Sequence, residues 1–81
     1  MPEFKRITFA PGVMGGQACI RGMRIPVSLI VNLVANGMST DQIIAEYPEV
    51  EADDVKEALF YASWLTREEL HQASPRLTET P

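Results

Sequence analysis

Side chains able to do covalent or metal chemistry are few and scattered in this 81-residue chain. Cys19 and His71 are each the single residue of their type. A lone cysteine cannot close an intramolecular disulfide, and with one histidine it cannot build a zinc site. No Ser-His-acid or Cys-His nucleophile pair can be assembled, and Cys19 reads as a small hydrophobe on an inner strand. The acid pairs Asp53-Asp54 and Glu68-Glu69 are adjacent, hence splayed about 100° apart on a helix, and they do not converge on one metal. Gly12-Val-Met-Gly15-Gly16 matches neither the dinucleotide fingerprint nor a phosphate loop and reads as turns. No catalytic, cofactor-binding or metal-ligating residue is assigned, and the chain is not expected to be an enzyme.

Charge is the more informative chemistry. The net value is −4, which argues against a wholesale nucleic-acid coat, since phosphate binding needs clustered positive charge. Yet residues 1–26 hold Lys5, Arg6, Arg21 and Arg24 against Glu3 alone, +3, whereas residues 27–81 hold Lys56, Arg67 and Arg76 against ten acids, −7. The first four cations flank a glycine turn and a neighbouring strand, a basic ribbon suited to phosphate or groove contact; the alternative is that they pair with the acidic remainder. Lys56, Ser63 and Arg67 share a helical stripe, so the DNA-contact candidates are Lys5, Arg6, Arg21, Arg24, Lys56 and Arg67. Glu51, Asp53, Asp54 and Glu57 would meet phosphates if the same helix entered a groove. Their other role is to complement the helix dipole, at about 0.3–1 kcal/mol each.

The elements that position these residues follow from patterning. A hydrophobic fraction of 46% with 22% charged residues is globular composition in one small domain. Alternation of Ile7 and Phe9 with polar neighbours predicts a strand over 5–9, and a second extended piece is expected over 18–25. Pro26 and Gly37 bracket a helix over 26–36. Leu29 and Leu33 widen its apolar face beyond an ordinary stripe, so it is expected to be central or shared in a dimer. Ser39-Thr-Asp-Gln42 has capping-box form and starts a helix over 40–47 that Pro48 ends. A third helix is expected over 52–73, with Val55, Ala58, Leu59, Ala62 and Leu65 as its core stripe and Ser74-Pro75 as its stop. Residues 74–81 read as a flexible tail. Phe60, Tyr61 and Trp64 fall outside that stripe; they are covered by the N-terminal strands or form a second contact. No apolar run approaches the roughly 20 residues of a membrane span, so a cytoplasmic protein without a membrane partner is expected.

The fold class expected is therefore mainly α with short N-terminal β-strands, a tri-helical, helix-turn-helix-like (winged-helix-like) domain over 1–73. The segments Cys19-Ile-Arg-Gly-Met-Arg-Ile-Pro-Val27, Asn36-Gly-Met-Ser-Thr-Asp-Gln-Ile-Ile44, Glu46-Tyr-Pro-Glu-Val50 and Asp54-Val-Lys-Glu-Ala-Leu-Phe-Tyr-Ala62 resemble domain-of-unknown-function family 433, the VapB-type antitoxin-like proteins. That resemblance implies a homodimer paired with a PIN-like ribonuclease toxin, with operator DNA as a possible further partner. Leu29, Leu33, Phe60, Tyr61, Trp64, Arg76 and Leu77 are the dimer or toxin interface candidates. A DNA-binding regulator without a toxin and a passive dimerisation module are the alternatives. Glu51 stands where such chains often carry an N-capping Thr, so Asp53 or Asp54 is expected to take over that duty. Met23 replaces a frequent Thr without removing either flanking arginine.

Overall fold

The computed structural model describes residues 3–79, with side chains as far as Arg67. Two strands, β1 (Ile7–Phe9) and β2 (Ala18–Ile20), precede three helices, α1 (Val27–Ala35), α2 (Thr40–Glu46) and α3 (Ala52–Glu79). The strands pair antiparallel with Ile7 opposite Ile20, Thr8 opposite Cys19 and Phe9 opposite Ala18. The result is mainly α with a two-stranded N-terminal sheet. No helix among the described residues is long and apolar enough to cross a membrane.

β2 is shorter than expected because the chain reverses directly after Ile20. Arg21 and Gly22 both adopt positive φ, 44° and 75°. The Met23 amide then donates back to the Ile20 carbonyl at 2.8 Å, and the Ile20 amide to the Ile25 carbonyl at 2.9 Å. Residues 21–25 are thus a tight turn, after which Pro26 bridges Cys19 and caps α1 from outside, with extended ψ of 146°.

Helix α1 ends at Asn36 with Gly37 at φ 92°. The Gly37 amide reaches the Val34 carbonyl at 2.9 Å and the Met38 amide the Leu33 carbonyl at 3.1 Å, the paired bonds of a Schellman ending. Helix α2 opens with the reciprocal box foreseen at Ser39: the Gln42 amide donates to Ser39 Oγ at 3.1 Å and the Ser39 amide to Gln42 Oε1 at 2.8 Å.

The core is formed by Ile7, Ile20, Val27, Ile30, Ile43, Val50, Val55, Ala58 and Tyr61, with one to three residues from each strand and helix and Val50 from the α2–α3 connection. Two expectations about α3 are corrected. Its buried face is Asp54, Val55, Ala58 and Tyr61, and Leu59 and Leu65 are exposed; Leu59 falls outside because Phe4 and Phe9 cover Tyr61 and draw the buried side towards it, whereas Leu65 keeps to the core-facing side but borders an open groove. The stop at Ser74-Pro75 does not occur, and the backbone remains helical to Glu79. An internal proline forfeits one amide donor, yet residues 74–79 continue the helix in place of the expected tail.

Candidate functional site

The strongest polar constellation joins the front of the chain to the start of α3. Asp54 is fully buried and accepts five hydrogen bonds. Arg21 lays its fork across the carboxylate, Nε at 3.1 and 3.2 Å from the two oxygens and Nη2 at 2.9 Å from Oδ2. Arg6 Nη1 reaches Oδ1 at 2.9 Å. The Glu51 amide completes the set at 2.8 Å from Oδ2. Such charge-assisted and forked bonds are the strong ones, and the three donor residues, Arg6, Arg21 and Glu51, come from three different segments.

Local conformation aims these groups. Arg21 sits in the left-handed region, a strained position for a side chain with a Cβ. It is held there by its own amide, which donates to the Arg6 carbonyl at 2.8 Å, and by the next amide, that of Gly22, which donates to Thr8 Oγ1 at 2.8 Å. Arg21 Nη2 also reaches the Glu49 carbonyl at 2.7 Å, tying the α2–α3 connection to the same point. Arg6 Nη1 bridges Asp54 to Glu51 Oε1 at 2.8 Å, with Asp53 Oδ2 3.7 Å from its Nη2. The Arg6 amide donates to Glu57.

Burial alone would raise the pKa of Asp54. The bonds from Arg21, the Glu51 amide and Arg6 outweigh it and hold the carboxyl below its ordinary value. The hydrogen bonds that Arg6 donates to Glu51 and Asp54 raise its pKa, and those that Arg21 donates to Asp54 raise that of Arg21. The capping duty expected at Asp53 or Asp54 thus falls to Asp54. It acts from the third helical position, serving the amide of Glu51, whose carbonyl opens the helix. The pattern Glu51-x-x-Asp54 is a one-sided capping box, the signal that could have identified Asp54 as an anchor.

This geometry corrects the basic ribbon. Arg6 and Arg21 are turned onto α3, as in the alternative reading of the charges. Lys5 and Arg24 remain exposed, the latter with only Met14 Sδ at 4.0 Å. Lys56 and Arg67 are exposed on α3. Cys19 is buried at 1% exposure, as its reading as a small hydrophobe required. Among the interface candidates, Tyr61 is a core residue, edge-on to Phe4 at 5.3 Å and stacked on Trp64 at 6.3 Å; Trp64, Leu29 and Leu33 are half-buried and Phe60 is exposed. Arg76 and Leu77 lie outside the residues whose side chains are described, as does His71. Among the described residues no three His, Cys, Asp or Glu side chains gather where they could hold a metal ion.

A second feature, not foreseen, is an apolar groove of about 570 Å³ between α1 and α3, lined by Ala18, Val31, Ala35, Tyr61, Ala62 and Leu65 among others. Leu65 lies on the core-facing side of α3 one turn beyond Tyr61, yet it is 56% exposed, because the helix there has passed the body that covers it.

The family model described as a protein of unknown function, DUF433, matches residues 7–62, the span that contains Arg21, Asp54 and all three helix starts, with Arg6 one residue before it. An uncharacterized protein of Sinorhizobium fredii, y4eO, is 32% identical over 56 residues, which are 69% of this chain and 25% of that protein. The chain therefore spans about a quarter of the length of that relative. The crystal structure of a DUF433 member protein from Anabaena variabilis superposes with a TM-score of 0.66 at 32% identity, covering 91% of this chain and 69% of that one. With the matched span running from the first strand through the buried aromatic face of α3, the chain belongs to the DUF433 family.

Proposed function

We propose that the protein is a homodimeric, helix-turn-helix-like antitoxin of the VapB type, acting in the cytoplasm, that binds and silences a PIN-like ribonuclease. The observation that carries this reading is how the basic front is used. With Arg6 and Arg21 bound to Asp54, two cations of the front are committed to the fold, while an apolar groove lies open between α1 and α3 and the carboxylates of Asp41, Glu46, Glu49 and Asp53 are exposed beside the remaining cations. A surface of that kind complements the basic, RNA-binding face of a nuclease better than it complements phosphates. The groove suits a second copy of the chain, since a small domain with an uncovered apolar face gains by sharing it. The resemblance of the Cys19–Val27 and Asn36–Ile44 segments to VapB-type proteins supports a nuclease as the partner.

The test is co-expression of the full chain with the small nuclease encoded beside it. Co-purification in fixed stoichiometry with loss of RNA cleavage is expected. A nuclease that stays fully active under an excess of the protein, with none retained on it, removes the antitoxin reading. Operator binding is a second reading, favoured by Lys5 and Arg24, which stay exposed on the hairpin side. It predicts a band shift on the upstream region that weakens with salt and is lost when both are changed to Ala. No shift at low salt removes it.

A further inference from the structure

We propose that the outer face of α3, formed by Lys56, Leu59, Phe60, Ser63 and Arg67, docks an amphipathic segment of a partner protein whose apolar centre is flanked by carboxylates. At about 100° per residue these five positions fall on one stripe, diametrically opposite the buried Asp54, Val55, Ala58 and Tyr61. That stripe should be polar in an isolated helix-covered domain. Instead Leu59, 37% exposed, and Phe60, 59% exposed, stand at its two edges about 100° apart, with a cleft between them that Lys56 and Ser63 also line.

Phe60 is also shaped as an anchor. It forms the shared wall of three shallow clefts: one with Phe4, Trp64 and Arg67 and the acids Glu3 and Glu57, one with Arg6, Lys56, Asp53 and Glu57, and one with Lys56, Leu59 and Ser63. A projecting aromatic with hollows on its flanks lets an incoming side chain pack on either side, which is where interface energy concentrates. The cations sit at the two ends of the stripe, about 16 Å apart along the axis at about 1.5 Å per residue. Neither forms an ion pair among the described residues.

Charge selects the occupant. A second copy laid antiparallel on the stripe brings Lys56 against Arg67, and a parallel one brings each cation against itself; both are repulsive. Duplex DNA is disfavoured because Glu51 and Asp53, with side chains 60% and 74% exposed, stand at the N-terminal end of the same helix, where they would meet the phosphate backbone. A protein segment with an acid at each end and apolar residues between them satisfies both halves of the surface. The stripe lies across α3 from the α1–α3 groove, so the inference stands whether or not the groove holds a second copy or the partner is a nuclease.

Selection of a displayed library of random 16-residue peptides on the full-length protein tests it, followed by anisotropy titration of the enriched peptides. Enriched sequences are expected to carry Asp or Glu flanking Leu, Ile or aromatic residues. Binding should fall at least tenfold in Phe60→Ser, and the double variant K56E/R67E should select basic flanks in place of acidic ones. Both variants alter exposed positions, and unchanged circular dichroism and thermal midpoint will verify that they fold. Absence of enrichment, enriched peptides insensitive to both variants, or competition by duplex DNA that K56E/R67E abolishes would each overturn the proposal.

Discussion

The start and the middle of α3 are finished differently. At its start the buried polar groups are answered: Asp54 accepts five hydrogen bonds, the Glu51 amide has a carboxylate, and among the described residues no buried side-chain nitrogen or oxygen lacks a partner. Two to three turns further on, the same helix presents Phe60 and Leu65 with more than half of their surface uncovered. The first stretch closes the fold upon itself by directional bonds between the hairpin, the α2–α3 connection and the helix. The second leaves non-directional apolar surface, which lowers its free energy only by meeting something else. Stability is therefore concentrated in one stretch and the capacity to bind in the other, and substitutions in the two should report on separable properties.

The largest effect on folding is expected at Asp54. Removing one partner of a buried ion pair costs about 3–5 kcal/mol; here the stranded guanidiniums are about a third exposed and regain water, which places Asp54→Ala near the lower figure. For a domain of this size that is a fall in Tm of about 12 °C or more, read by calorimetry. A fall under about 4 °C would mean that the cluster does not close the fold.

Much of this closed end was legible in the sequence, and the reason is local. The Ser39–Gln42 box, the Gly37 ending and the strand positions of Ile7 and Cys19 are set by short-range bonding and period, which the residues announce. The cluster was legible only as two alternatives for Arg6 and Arg21, because pairing across 33 and 48 positions depends on how a turn at Arg21 aims a side chain. The face of α3 was misjudged for a related reason: period alone admits Leu59 to the core stripe, and only the docking of Phe4 and Phe9 draws the buried side to Tyr61. An uncovered groove cannot be read from any one element, since it exists where α3 outruns the others.

The acid limb of the stability curve should carry the signature of the same cluster. Asp54 has a depressed pKa when folded, so its contribution is fully present above the unfolded value of about 3.9 and is lost as pH falls through the folded value below it. Urea midpoints of the wild type should hold steady from neutrality to about pH 5 and then drop, whereas Asp54→Asn, already weaker, should lose that part of the slope. Parallel acid limbs in the two proteins would assign acid unfolding to other carboxylates.

A smaller and purely backbone effect is expected at Gly37. Its φ of 92° is unfavourable for any residue with a Cβ, although a Cβ there would touch nothing within 4 Å. Gly37→Ala should thus cost about 1–2 kcal/mol through strain alone, with no change in binding; a loss below about 0.3 kcal/mol would show that the α1 ending relaxes.

The smallest effect on folding, and the sharpest test of the contrast, is at Leu65. With 56% of its surface already in water and its neighbours across an open groove, Leu65→Ser deletes little that the monomer buries, and its thermal stability at high dilution should stay within about 0.5 kcal/mol of wild type. If the groove holds a second copy, the same change places a hydroxyl where two chains bury apolar surface, and sedimentation should register at least a tenfold weaker self-association. Asp54→Asn should do the reverse, weakening the fold while leaving association per folded chain unchanged. Equal losses in both properties from either variant would mean that the start and the middle of α3 are one cooperative unit, and that the groove is part of the core and not a surface held open for a partner.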